Sequence, residues 1–302
     1  MLGLGVMGSA MSGNLMEAGF TVVGYDIAPE RLSAHAAAGG EIAPSPSAVA
    51  ESVDAVVVSL PSVAALEAVV DGEGGLSATH RADSRDIVVV ETSTLPLEAK
   101  LRARDRLAPA GLLVLDCPLS GTGAQARVKD LIVYVSGDES AAARVSPVLE
   151  GLARQHFYTG EFGNGSKLKY IANLLVTIHN LSTAEAFLLA RRAGLDERQM
   201  LQVIGDGAGA SRMFQVRGPL MLEADYDDAT MRVDLFQKDI EIIRDFAHGV
   251  HSPTPLFTLS AQFYEAAMAQ GRATQDPACV LAVLEQLTDR ANPQPPQTSE
   301  ER

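Results

Sequence analysis

The chain has 302 residues, 47% of them hydrophobic and 21% charged, enough for two globular domains of roughly 150 residues each. With a net charge of −14 and no Lys/Arg cluster long enough to follow a phosphate backbone, nucleic acid and anionic membrane surfaces are excluded as partners. Two widely separated cysteines, Cys117 and Cys279, fit neither a disulfide framework nor paired metal-ligand spacing and point to a reducing, cytoplasmic setting. The start of the chain lacks a basic segment and is broken by glycines, so a signal peptide is not expected. No apolar run reaches the roughly 18 residues needed to span a membrane.

Gly3-Leu4-Gly5-Val6-Met7-Gly8 has the form G-x-G-x-x-G, and Met11, Leu15 and Met16 after it fall on one helical face. Glycines at this spacing permit a tight turn, close backbone approach to a pyrophosphate and packing of helix on strand, with the helix N-terminus facing the anion. The run TVVGYD then ends in Asp26, where a carboxylate can hydrogen-bond the hydroxyls of an adenosine ribose. Gly3, Gly5, Val6, Met7, Gly8 and Asp26 are therefore candidate cofactor residues. A carboxylate there repels a 2′-phosphate and favours NAD, while nearby Arg31 keeps NADP open. Only Met1 and Leu2 precede the loop, where a doubly wound sheet needs its central strand, so the natural chain is expected to begin earlier.

The runs DAVVVSLP, DIVVVETST and LLVLDCP follow, alternating with helical stretches, and LIVYVSGD closes the series at Asp138. Short β-branched runs of this kind are strands buried on both faces, which predicts a doubly wound α/β domain of Rossmann type over residues 1–162. Leu60 and Pro61, closing the first of these runs, join the cofactor candidates.

From Ser166 to Ala193 there is neither proline nor glycine, and Gly194 stands where a helix C-cap glycine belongs, so one long helix is predicted. Helical patterns without strands continue, giving an all-α substrate and dimerisation domain over 163–291. The Pro/Gln/Ser-rich end, 292–302, is expected to be a disordered tail. Lys169, Asn173 and Asn180 share one face of the long helix with Ala184, while Leu168, Ile171, Leu174, Leu175, Ile178 and Leu181 surround them, which predicts a largely buried helix with a polar line facing an enclosed site. Periodicity fits two readings of Lys169 equally: a lysine held in an apolar cleft, whose pKa moves toward neutrality and suits it to proton transfer, or a solvated lysine near a helix start. Lys167 is expected to face solvent.

GLGVMGSAM, ETST at Glu91–Thr94, DCPLSGTGAQA at Asp116–Ala126, GNGSKLKYIAN at Gly163–Asn173 and QKDIEII from Gln237 together resemble the β-hydroxyacid dehydrogenases, the group of 3-hydroxyisobutyrate dehydrogenase and tartronate semialdehyde reductase. The resemblance implies that Lys169 is the catalytic acid/base and that Asn173 orients the reacting oxygen. It implies that Ser120 and Gly121, with Thr122 beside them, bind the substrate carboxylate, that Thr94 contacts the ribose on the nicotinamide side, and that Lys238 reaches the nicotinamide end, so that the site closes between domains. Thr122 and Ala172 depart from the family pattern of a second glycine and a second asparagine, and both lie around the substrate. The expected activity is hydride transfer between NAD(P) and a small 3-hydroxy acid in a homodimer or homotetramer. The alternatives are imine reduction, in which relatives typically replace the lysine, and a non-catalytic dinucleotide sensor.

The six histidines, His35, His80, His156, His179, His248 and His251, lack metal-binding spacing, and Ser120 is not in a G-x-S-x-G elbow. Ser211 and Phe214 are candidate pocket residues after the glycine-rich break.

Overall fold

A computed structural model describes residues 1–80, 86–229 and 231–291; the expected tail from Asn292 lies outside them. The first half runs α1 (Val6–Glu17), β1 (Val23–Gly24), α2 (Pro29–Ala37), β2 (Glu41–Ile42), α3 (Pro46–Ser52), β3 (Ala55–Val58), α4 (Val63–Asp71), β4 (Ile87–Glu91), α5 (Leu97–Leu107) and β5 (Leu112–Asp116). It continues through β6 (Leu119–Ser120), α6 (Gly123–Arg127), β7 (Ile132–Val135), α7 (Glu139–Arg144), α8 (Ser146–Leu152) and β8 (Gln155–Tyr158). Then come α9 (Asn164–Arg192), α10 (Glu197–Gly205), α11 (Arg212–Glu223), α12 (Val233–Gly249), α13 (Pro255–Ala269) and α14 (Val280–Ala291). Two compact units result, Met1–Ala172 and the residues from Asn173 onward, so that α9 runs from one into the other. Ser166 and Tyr170 hydrogen-bond into the first unit, which draws the opening turns of α9 with them.

In the first unit β3, β4 and β5 pair in parallel, and β1 pairs in parallel with β2. Leu2 joins the two groups by bridging Tyr25 on one side and Val58 on the other. Alternate residues of the central strands enter two separate cores. Val57, Val88, Val90 and Leu115 pack with Met11, Leu15 and Leu149 on one face. Val56, Val58, Ile87, Val89, Leu112 and Val114 pack with Val49, Leu66, Ala103 and Leu107 on the other. This two-sided covering is why the strands read as unbroken apolar runs, each buried Val or Leu contributing about 1.5–3 kcal/mol. The sheet then changes direction: Asp116 and Ser136 form an antiparallel bridge, β6 and β7 are antiparallel, and β8 lies parallel to β7.

Beyond α9 the described residues are helical. The helix ends at Gly194, whose φ of +72° closes it, with Leu195 N–H donating to the Ala190 carbonyl. The expected burial of α9 holds for Leu181 and is corrected for Leu168, Ile171 and Leu175, which are exposed. Its covered face is instead the mixed one of Ser166, Tyr170, Asn173, Thr177, Asn180 and Phe187. Asn180 does not extend the line of Lys169 and Asn173 toward ligand. Its Nδ2 donates to Tyr264 Oη at 2.8 Å and its Oδ1 accepts from Arg217 Nη1 at 3.3 Å, while Arg217 pairs with Asp276 at 2.9 Å, all buried. Helical phase put these residues on one face, and the partner helices decided what each one met.

Candidate active site

The turn before α1 is built for close backbone approach. Gly3 has φ +87°, and a Cβ on Gly8 would lie 1.9 Å from the Gly3 carbonyl oxygen, so no side chain fits at either position. Gly5 caps α1 without a side-chain bond and the first turn carries no acidic residue, which leaves the opening N–H groups around Val6 and Met7 to an anion. Asp26 is buried. Its Oδ2 accepts from Leu4 N–H at 2.7 Å and its Oδ1 from Ala28 N–H at 2.9 Å, and Arg31 Nη1 lies 3.4 Å away. The carboxylate thus holds the loop's shape as well as its charge, with a half-exposed guanidinium beside it. These groups fit a dinucleotide pyrophosphate and its adenosine ribose.

The other candidates of the first unit follow strand ends on the same edge. Leu60 N–H donates to Ser93 Oγ at 2.9 Å, which joins the loop after β3, where Pro61 is exposed, to the ETST segment holding half-buried Thr94. Ser120 ends β6, and Gly121 has φ +139° with Leu131 Cδ2 only 2.5 Å from where a Cβ would stand. Thr122 is the N-cap of α6. Its Oγ1 accepts from Gln125 N–H and its own N–H donates to Gln125 Oε1, so both groups are committed to a capping box.

Lys169 is half-buried in the second turn of α9, while Lys167 is exposed and donates to Asn164 Oδ1. Asp116, at the end of β5, accepts from both the N–H and the hydroxyl of Ser166 at 2.8 Å each. The helix therefore begins at the strand edge that leads to Ser120. In the second unit, Asn173 Nδ2 donates to Asp239 Oδ2 at 2.8 Å and Lys238 Nζ lies 3.2 Å from Asp239 Oδ1. Asp116 and Asp239 were missed as site residues by sequence reasoning, although one ends a buried apolar run and the other follows the singled-out Lys238. Of the two pocket candidates beyond the glycine-rich break, Ser211 Oγ caps α11 by accepting from Phe214 N–H, and the Phe214 ring packs against Phe187. No group of three or more His, Cys, Asp or Glu suited to a metal occurs among the described residues.

Residues 1–160 match the NAD-binding domain of 6-phosphogluconate dehydrogenase, and residues 163–284 match the NAD-binding domain of NADP-dependent 3-hydroxyisobutyrate dehydrogenase. The chain belongs to the β-hydroxyacid dehydrogenases. An L-threonate dehydrogenase of Cupriavidus necator is 33% identical, over 94% of each chain. A 2-(hydroxymethyl)glutarate dehydrogenase of Eubacterium barkeri is 28% identical over 95% of this chain and 94% of that protein. Among solved structures, 3-hydroxyisobutyrate dehydrogenase from Salmonella typhimurium superposes with a TM-score of 0.82 at 29% identity, covering 93% of this chain and 98% of that one. The β-hydroxyacid dehydrogenase described here is accordingly an NAD(P)-dependent enzyme acting on the CH–OH group of a small hydroxy acid. No described helix is long and apolar enough to cross a membrane.

Proposed function

We propose that this enzyme interconverts a small 3-hydroxy acid and its aldehyde or ketone, with Lys169 as the acid/base. The observation that carries the reading is the anchoring of α9: Ser166, one turn before Lys169, is bonded to Asp116, and the chain from Asp116 leads within four residues to Ser120. In the oxidation direction neutral Lys169 takes the hydroxyl proton, and in the reduction direction its ammonium returns one to the carbonyl oxygen. Asn173, one helical turn on and held through its Nδ2 by Asp239, orients that oxygen. The Ser120 hydroxyl and the backbone at Gly121 hold the substrate carboxylate. With Thr122 committed to its capping box, it contributes the shape of this loop rather than a direct polar contact. When bound, the nicotinamide exchanges the hydride with the substrate carbon. Thr94 is assigned to the nicotinamide end, and the loop Gly3–Gly8 with Asp26, Leu60 and Pro61 to the rest of the dinucleotide. Asp26 favours NAD, and Arg31 makes NADP a tolerated second cofactor.

The test is absorbance at 340 nm with NAD or NADP and L-threonate, 3-hydroxyisobutyrate or 2-(hydroxymethyl)glutarate. Lys169→Ala is expected to lower kcat by about 10²–10⁴-fold while NADH still binds by fluorescence titration. Undiminished turnover in that variant removes Lys169 from the mechanism.

A further inference from the structure

The first unit contains a charged cluster that the chemistry above does not use. Lys100, from α5, is fully buried, with its Nζ 2.6 Å from Glu91 Oε2 and 2.8 Å from Asp116 Oδ1. Glu91 and Asp116 are themselves buried and are register partners at the carboxyl ends of neighbouring parallel strands β4 and β5. Burial alone lowers the lysine's pKa, and the two facing carboxylates more than reverse that, so the ammonium stays charged.

Each carboxylate leads to a different side of the site. Glu91 Oε1 accepts from Ser93 N–H at 2.9 Å, and Ser93 Oγ in turn accepts from Leu60 N–H, so this arm ends in the loops assigned to the dinucleotide. Asp116 receives four donors. Lys100 Nζ and Ser166 Oγ bond its Oδ1, and Ser166 N–H and Ser136 Oγ bond its Oδ2, the last at 3.2 Å. Ser136 Oγ also accepts from Gly163 N–H at 3.2 Å and Gly165 N–H at 3.0 Å, which fixes the entry into α9. A second tie lies just past Lys169: the buried Tyr170 hydroxyl donates to the Leu95 carbonyl at 2.6 Å, in the loop that carries Thr94. Lys169 is thus flanked by two buried anchors.

A buried ion cluster of this kind is a poor source of net stability, because apolar packing of the same volume does as well without desolvating charges. What it supplies is direction. Hydrogen bonds to a saturated carboxylate set angles as well as distances, and a proton-transfer group misplaced by about 1 Å can cost about 10²-fold in rate. We propose that Lys100 is a positioning residue for Lys169: its ammonium clamps the ends of β4 and β5, and Asp116 and Ser166 carry that constraint to the opening turn of α9. The proposal rests on the reading of Lys169 as the acid/base.

Ser166→Ala removes one hydroxyl and leaves every charge in place. It is expected to lower kcat about tenfold, while KM for the oxidised acid and the Kd for NADH stay within about twofold, and Ser166→Thr is expected to restore kcat. Lys100→Met is expected to lose about 10²-fold in kcat if it folds; Ser166→Ala decides the question if it does not. A wild type inert towards L-threonate, 3-hydroxyisobutyrate and 2-(hydroxymethyl)glutarate alike would overturn the reading of the function and the proposal with it. An active wild type whose Ser166→Ala variant loses thermal stability but keeps kcat would overturn the proposal alone, since that is the signature of a purely structural bond.

Discussion

His35 shows how far a single side chain's role depends on its surroundings. In the sequence it is one of six scattered histidines. In the structure its Nδ1 lies 3.2 Å from Ser12 Oγ and its Nε2 3.3 Å from the Val22 carbonyl, buried between α1 and the first strand. Burial pushes its pKa below the ordinary histidine value, so the folded protein holds it neutral while the unfolded chain protonates it near 6.5. Between those two values the unfolded state binds more protons, and stability rises with pH. The contribution is complete above about 6.5 and is lost as pH falls toward the folded-state pKa. The thermal midpoint is therefore expected to fall between pH 7 and pH 5, and to fall less in His35→Gln; identical slopes in the two proteins would remove His35 as a source. Proton linkage of this kind is invisible to spacing arguments, because it depends on what closes over the ring.

At the scale of elements, the glycine turn and helix that begin the chain were readable because their requirements are local. G-x-G-x-x-G answers to the contact between Gly8 and the Gly3 carbonyl, and Gly8→Ala puts a methyl where no atom fits. Overpacking of this kind costs about 1–3 kcal/mol, and with the loop opened the Kd for NADH is expected to rise at least about tenfold, as calorimetry would show. The long helix was equally legible, as the run from Ser166 to Ala193 closed by Gly194, and it opens two residues earlier, at Asn164. The short strands β2, β6 and β8 were not: Glu41–Ile42 and Gln155–Tyr158 carry no apolar run, because strands at the margins of a sheet leave much of their surface to solvent. The face of α9 was misassigned for a related reason. Leucine and isoleucine in a helix predict a buried face, although a periodic apolar stripe fits an interface between molecules as well as a core.

That stripe is the whole-molecule feature that remains to be covered. Leu168, Ile171 and Leu175 are 41%, 54% and 45% exposed and recur at helical spacing along one side of α9. A second copy of the chain is the proposed cover, so Ile171→Glu is expected to convert a dimer to a monomer in sedimentation velocity. A wild type that already sediments as a monomer would dismiss it.

The sequence by itself determined the elements whose causes lie within a few residues: the glycine turn, the buried parallel strands, the single long helix and the two-part architecture. It also supplied the resemblance that put Lys169, Ser120 and Asn173 in one chemistry. Only the tertiary structure decided that Asp26 braces the loop through Leu4 and Ala28 and that Asn180 belongs to a buried network with Tyr264 and Arg217. Only the fold could bring Lys100 between Glu91 and Asp116. Burial and charge pairing join residues far apart in the chain, and no local period records which of them will meet.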